Sequence, residues 1–220
     1  MHHESAASHG PAQAPETRGE TIRWARFYDA FTALISLGKD GAIRKAALAA
    51  AQVRPGERVL DVGCGTGSLA IDAKAEVGSI GEVHGIDAAP EMIAVARRKA
   101  AKKELDVRFQ VGLIEEIPFA DGQFDLALNS FVLHHLPDDL KRAGFAQIRR
   151  VLKPGGRFLA VDFASTGGGL LGHLMSLFGH KVEQDYVGDL MAMLKDTGFA
   201  DVEALDTKYE ILAFIRARAK

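Results

Sequence analysis

At 220 residues the chain is long enough for one substantial α/β domain with an internal ligand cleft, and short for two. Lys and Arg number 27 against 29 Asp and Glu, a formal net charge of -2, which withholds the basic surplus a non-specific nucleic-acid binder needs. A single cysteine, Cys64, excludes disulfide scaffolds, cysteine-rich zinc sites, iron–sulfur clusters and any mechanism needing several thiols.

No apolar run reaches the roughly 18–20 residues of a membrane span, and the N-terminus lacks the apolar core of a secretion signal. A cytoplasmic location is expected. Residues 1–18 are rich in Ala, His, Pro and polar residues and read as a disordered tail. Its three histidines, His2, His3 and His9, read as solvated rather than as a metal site. From Gly19 the composition changes: Trp24, Phe27, Tyr28, Phe31, Leu34 and Ile35 recur at helical spacing and form one apolar face. With a second helical stretch over 42–51, they make an N-terminal helical cap spanning about 19–52.

After the turn Arg54-Pro55-Gly56, short β-branched runs alternate with longer amphipathic ones. Strands are expected at 57–62, 82–87, 106–111, 124–129 and 157–162, and helices at 68–76, 90–103 and 138–152. Crossovers of this length imply a parallel sheet with helices on both faces. Beyond Phe163 comes a Gly-rich, apolar insertion at about 164–183, then a helix at 185–195. Strands at 201–206 and 209–215 follow, with a junction short enough for an antiparallel hairpin. Residues 19–220 read as a single domain.

The run Val59-Leu60-Asp61-Val62-Gly63-Cys64-Gly65-Thr66-Gly67-Ser68 is a strand, a Gly-rich turn and a helix start. A dinucleotide fingerprint would place its third glycine where Ser68 stands, and a phosphate loop would end in Gly-Lys-Ser/Thr. Asp61 would repel a pyrophosphate and attract an ammonium. A ligand with an amino-acid end and an adenosine end fits both observations. Asp87, at the tip of the second strand, is placed to accept hydrogen bonds from ribose hydroxyls; its competing reading is a cap for the helix after Ala88-Ala89-Pro90. Cys64 reads as a small residue in a tight turn, not as a reactive thiol.

The segments VLDVGCGTGSLA, GIDAAPEMIAVARRKA, FDLALNSFVLHHLPD and RRVLKPGGRF, in that order, resemble the class I S-adenosylmethionine-dependent methyltransferases, on the ubiquinone/menaquinone C-methyltransferase-like branch. The resemblance implies a Rossmann-like, seven-stranded, mostly parallel sheet with an antiparallel last strand. It implies S-adenosylmethionine as cofactor, S-adenosylhomocysteine as product, and a small-molecule methyl acceptor. Residue by residue, Asp61, Gly63, Cys64, Gly65, Thr66 and Gly67 fall in the methionine-binding loop. Asp87 matches the ribose acid, and Ala88 and Met92 match adenine-lining positions. Leu113 stands where relatives often carry Asp, so adenine recognition would rest on the backbone around Ile114 and on apolar contact. Asn129 matches the floor of the cofactor site, and 152–157 matches the turn before the fifth strand.

Methyl transfer needs a general base only when the acceptor must lose a proton. The candidates are His134 and His135, just past the fourth strand, and Tyr28 on the N-terminal helix; the bland reading of the histidines is loop packing, and of Tyr28, core. The quinone enzymes resemble Tyr-Asp-x-Met-Asn-x-x-apolar-Ser with a His and a Trp soon after. Tyr28, Asp29, Ile35 and Ser36 fit, whereas Phe31 and Thr32 replace Met-Asn, and Asp40 and Ile43 occupy the His and Trp places. The acceptor is therefore read as a small lipophilic molecule, with a quinone as one case. The basic clusters Arg97-Arg98-Lys99, Lys102-Lys103 and Arg149-Arg150 read as solvated helix faces, not a nucleic-acid surface. No metal site is expected, and a homodimer is left open. The competing functions are a non-catalytic cofactor-binding protein and a protein or RNA methyltransferase. Within the insertion, Gly167, Gly168 and Gly169 followed by Leu170, Leu171, Leu174, Met175, Leu177 and Phe178 form either a core helix or an acceptor lid carrying His173 and His180.

Overall fold

The computed structural model describes residues 38–164, 185–209 and 211–220. The tail, the first apolar helix with Trp24, Phe27, Tyr28 and Phe31, and the insertion with its glycines, His173 and His180 lie outside the described residues.

Helix α1 (Asp40–Ala51) opens with Asp40, whose carboxylate meets Arg44 one turn later at 2.7 Å, and buries Ala47, Leu48 and Ala51. The chain then alternates as its sequence pattern predicts: β1 (Arg58–Val62), α2 (Ser68–Val77), β2 (Glu82–Asp87), α3 (Pro90–Lys102), β3 (Val107–Val111) and β4 (Phe124–Ser130). A 3-10 turn (Leu133–His135) leads to α4 (Asp138–Val151), β5 (Leu152–Phe163), α5 (Tyr186–Asp196), β6 (Phe199–Leu205) and β7 (Leu212–Ala219). The seven strands form one sheet in the order β3-β2-β1-β4-β5-β7-β6. β1 to β5 pair in parallel, and β7 runs antiparallel between β5 and β6.

Alternation along each strand divides the core in two. Val59, Leu126, Leu128, Leu159 and Val161 pack under α1, α2 and α3 with Leu48, Leu69 and Ile93. Leu60, Val62, Ala127, Phe158 and Ala160 face α4 and α5 with Phe145, Ile148 and Leu190. The chain winds outward from β1 to β3 and returns to β4, so the strand order reverses between β1 and β4. Such a switch point leaves a crevice at the carboxyl ends of the two strands. The amino ends are tied instead by ion pairs: Arg58–Glu82 at 3.2 Å, Lys153–Asp125 at 2.6 Å and Arg157–Glu57 at 2.6 Å.

Several boundaries differ from the sequence reading; the last strand, for one, starts at Leu212 and not at 209. Residues 152–157, expected as a turn, lie within β5: Leu152 already pairs with Phe124, and a bulge absorbs Lys153, Pro154, Gly155 and Gly156 before pairing resumes at Arg157 and Leu126. A bulge accommodates the Pro-Gly-Gly that normally signals a loop. The last strand runs past 215 to Ala219, because Ile215, Ala217 and Ala219 continue the apolar alternation while Arg216 reaches Glu203 at 2.7 Å on the other face. β6 starts earlier, at Phe199, a buried core residue.

Candidate cofactor and active site

The turn between β1 and α2 is shaped by its glycines and closed by its own amides. Gly63, Gly65 and Gly67 all hold positive φ. At Gly63 a Cβ would sit 2.4 Å from Val132 Cγ2, and at Gly67 it would sit 2.6 Å from the Phe109 ring, so neither position accepts a side chain. The Gly63 and Cys64 amides both donate to the Ile86 carbonyl, Gly67 donates to Cys64, and Gly65 donates to Asp87 Oδ2 at 2.8 Å. A phosphate-binding loop turns such amides toward its ligand. Here four of them point into the protein, an arrangement suited to a cation.

Asp61 completes that polarity. It is fully buried on β1, and neither carboxylate oxygen has a well-formed hydrogen bond, the Ala70 backbone N–H reaching it only loosely. Burial pushes its carboxyl up to about 7, with the Ala70 backbone offsetting part of the shift and the Asp87 charge adding to it. Asn129, buried at the end of neighbouring β4, donates to the Val62 carbonyl at 2.8 Å and leaves Oδ1 without a partner. Buried acceptors lacking donors cost stability. The ammonium of an amino-acid ligand would supply the missing donors at Asp61, so the residues present fit the amino-acid end of S-adenosylmethionine.

Asp87 unites the two readings the sequence left open. Its Oδ1 accepts from Ala89 N–H at 2.9 Å, closing the turn into α3, while Oδ2 holds the glycine loop through Gly65. Burial raises its carboxyl, and those two N–H groups pull it back. Each oxygen keeps a lone pair for a ribose hydroxyl. Ala88 is half-buried, and Met92 packs with Ala89 and Val95 apart from the two main core clusters. Leu113 is half-buried and bridges Glu116, whereas the Ile114 side chain packs into the core over Gly144, leaving only its backbone for a ligand. Thr66 is buried and accepts from Lys99 Nζ at 3.1 Å, which also reaches Ser68 at 2.6 Å. Cys64 is buried behind the loop, its thiol raised by burial and by the Asp61 and Asp87 charges, and so is unsuited to nucleophilic chemistry.

Past β4, Phe131 adopts a left-handed φ of 57°, uncommon for a bulky residue, and lays its ring 5.4 Å from that of Phe163. The next residue, Val132, covers Gly63, so the segment leaving β4 abuts the glycine loop. His134 follows and meets Asp162 of β5: the ring Nδ1 lies 2.6 Å from Oδ1, and the His134 N–H donates to Oδ2 at 3.1 Å. The Tyr186 hydroxyl lies 3.5 Å from the same carboxylate. The His135 ring lies against that of His134 at a tilt of 42°, with centroids 3.9 Å apart. The third candidate, Tyr28, lies outside the described residues. Sequence reasoning missed Asp162, Tyr186 and Val132; only the Asp at the end of a buried apolar strand offered a signal. It also read the basic clusters too simply, because Arg97 clamps the Phe109 carbonyl at 2.7 Å and Arg150 holds the Ile117 and Phe119 carbonyls at 2.8 Å.

Residues 59–156 match the family model described as a methyltransferase domain. The chain is 37 % identical to the demethylmenaquinone methyltransferase of Deinococcus radiodurans over 151 residues, 69 % of this chain and 61 % of that protein. It is 32 % identical to the demethylmenaquinone methyltransferase of Staphylococcus aureus strain MRSA252 over 202 residues, 88 % of this chain and 82 % of that protein. The PH0226 protein of Pyrococcus horikoshii superposes with a TM-score of 0.70 at 21 % identity, covering 89 % of this chain and 99 % of that one, a likeness of fold. With the cation-suited loop and the reversed sheet, these matches establish that the chain belongs to the class I S-adenosylmethionine-dependent methyltransferases, on the branch of the ubiquinone and menaquinone C-methyltransferases.

Proposed function

We propose that the chain transfers the methyl group of S-adenosylmethionine to a small lipophilic acceptor, with a hydroquinone as the acceptor class to test first. The unpartnered Asp61 carboxylate beside a glycine loop whose amides turn inward carries this reading. Asp61 takes the ligand's ammonium, Asp87 its ribose, Ala88, Met92, Leu113 and the Ile114 backbone its adenine, and Asn129 closes the floor. Bound there, the cofactor supplies a methyl group on a cationic sulfur, open to in-line attack. The kinship with demethylmenaquinone methyltransferases supports a quinone-like acceptor, and the single cysteine supports a reducing, cytoplasmic setting. Among the described residues no helix is long and apolar enough to cross a membrane.

The test is incubation with methyl-labelled cofactor, a reduced naphthoquinone and a metabolite extract. Label is expected in an apolar small molecule. Label only in protein or RNA would overturn the small-acceptor reading, and cofactor binding with no transfer would leave a binding protein.

A further inference from the structure

One buried carboxylate at the carboxyl end of β5 gathers three donors and the His134 ring nitrogen. Asp162 is 1 % exposed. Its Oδ1 receives the His134 ring nitrogen Nδ1 at 2.6 Å and the Phe163 N–H at 2.8 Å. Its Oδ2 receives the His134 N–H at 3.1 Å and the Tyr186 hydroxyl at 3.5 Å. The Phe163 and His134 backbone N–H groups and the Tyr186 hydroxyl are donors in any case, and the His134 ring joins them in its Nδ1-protonated tautomer. Burial and the Asp162 charge hold the Tyr186 phenol above its ordinary range, so it remains a donor. An anionic carboxylate accepts and does not donate. Opposite an ionised Asp162, a neutral His134 ring would carry its proton on Nδ1 and its lone pair on Nε2.

We propose that Asp162 is the positioning residue of a general-base pair in which His134 Nε2 takes a proton from the methyl acceptor. A tether for the 3-10 turn would need only the bond to the His134 backbone. The second bond, to the ring, also fixes the imidazole's rotation and tautomer. A buried anion is costly without a counter-charge, and proton uptake by His134 creates one 2.6 Å away, stabilising the charge that develops during reaction. Among the described residues the pair is also faced by the Tyr186 hydroxyl, the tilted His135 ring, the Phe163 ring edge-on to His134 at 5.0 Å, Asp138 near Tyr186, and Lys141, whose ammonium lies 5.1 Å from the Tyr186 ring centroid.

In the step, the acceptor's O–H bond breaks and its proton forms a bond to Nε2. The electron pair left on that oxygen makes the new bond to the methyl carbon, or moves into the ring so that a ring carbon makes it and then loses its hydrogen as a proton to solvent; either way the carbon–sulfur bond breaks with its pair passing to sulfur. The imidazolium then returns its proton to solvent. The inference rests on the proposed function only in needing an acceptor with a transferable proton, which a hydroquinone has.

The first test is the histidine tautomer, read by long-range ¹H–¹⁵N correlation on the full-length protein with S-adenosylhomocysteine bound. Nδ1-protonated His134 is expected, shifting toward the other tautomer in Asp162→Asn; an Nε2-protonated ring in the unmodified protein would overturn the proposal. The second is kinetic, with labelled cofactor and reduced naphthoquinone. Asp162→Asn should lower kcat by roughly 10²–10⁴-fold, with the acceptor KM changed less than about threefold. His134→Ala should lose transfer and regain part of it with added imidazole. An unchanged kcat in Asp162→Asn, or no imidazole rescue, counts against the base. Should Asp162→Asn not fold, the unmodified protein's spectrum and the imidazole rescue still decide. No transfer by the unmodified protein counts against the hydroquinone alone, and the spectrum still decides the pair.

Discussion

Asp61 sets binding against stability at a single residue. Its carboxyl is raised to about 7 by burial, above the ordinary value of 3.8 that it has in the unfolded chain. The folded protein therefore binds the extra proton, and stability falls as pH rises from about 4 to 7. An ammonium ligand needs the ionised form, so cofactor affinity should move the opposite way: flat above about pH 7.5 and falling toward pH 6. Calorimetric titration across this range measures the slope. Asp61→Asn should flatten it and weaken binding, while raising the Tm of the ligand-free protein at pH 8 and leaving it nearly unchanged near pH 4. A Tm that drops at pH 8 would show that the buried charge already has a compensating partner.

At the scale of elements, the glycine loop and the segment after β4 form one unit, because Val132 lies where a Gly63 side chain would go. Gly63→Ala should therefore perturb both and abolish cofactor binding. Gly122→Ala shares the left-handed φ but has nothing within 4 Å of the added methyl. It should cost only the backbone strain, about 1–2 kcal/mol by urea unfolding, with binding intact. Equal loss of binding in both variants would mean that strain, not crowding, governs the loop. The sequence made this loop legible because its chemistry is local: Asp61, three glycines and a strand-to-helix change lie within one short run. It could not reveal Asp162 as the partner of His134, since 28 residues separate them and the sheet register brings them together. The entry into β5 was misread for the opposite reason, since Pro154-Gly155-Gly156 carries a strong local loop signal that pairing with β4 overrides.

At the scale of the whole sheet, three ion pairs among the described residues, Arg58–Glu82, Lys153–Asp125 and Arg157–Glu57, tie the strands at the edge away from the proposed site. Arg157 Nη2 reaches both Glu57 oxygens, at 2.8 and 2.6 Å, and both side chains are largely buried. Arg157→Ala strands the Glu57 charge and should cost about 3–5 kcal/mol in urea unfolding, whereas the double variant Arg157→Met/Glu57→Leu should recover most of that. Cofactor affinity should be unchanged in either; a matching loss would show that the two edges are coupled.

Along the amino edge, Arg58 also binds Asp125 through its backbone amide at 2.9 Å, so β1, β2, β4 and β5 are laced together there. None of those residues is among Asp61, Asp87, Asn129, His134 and Asp162 at the other rim. The protein thus keeps a foundation and a workshop at opposite ends of the same strands. Lineages built on this plan can drift at one rim without being punished at the other. A change of acceptor can then be made by substitutions at the carboxyl rim with the ion pairs of the amino rim left in place.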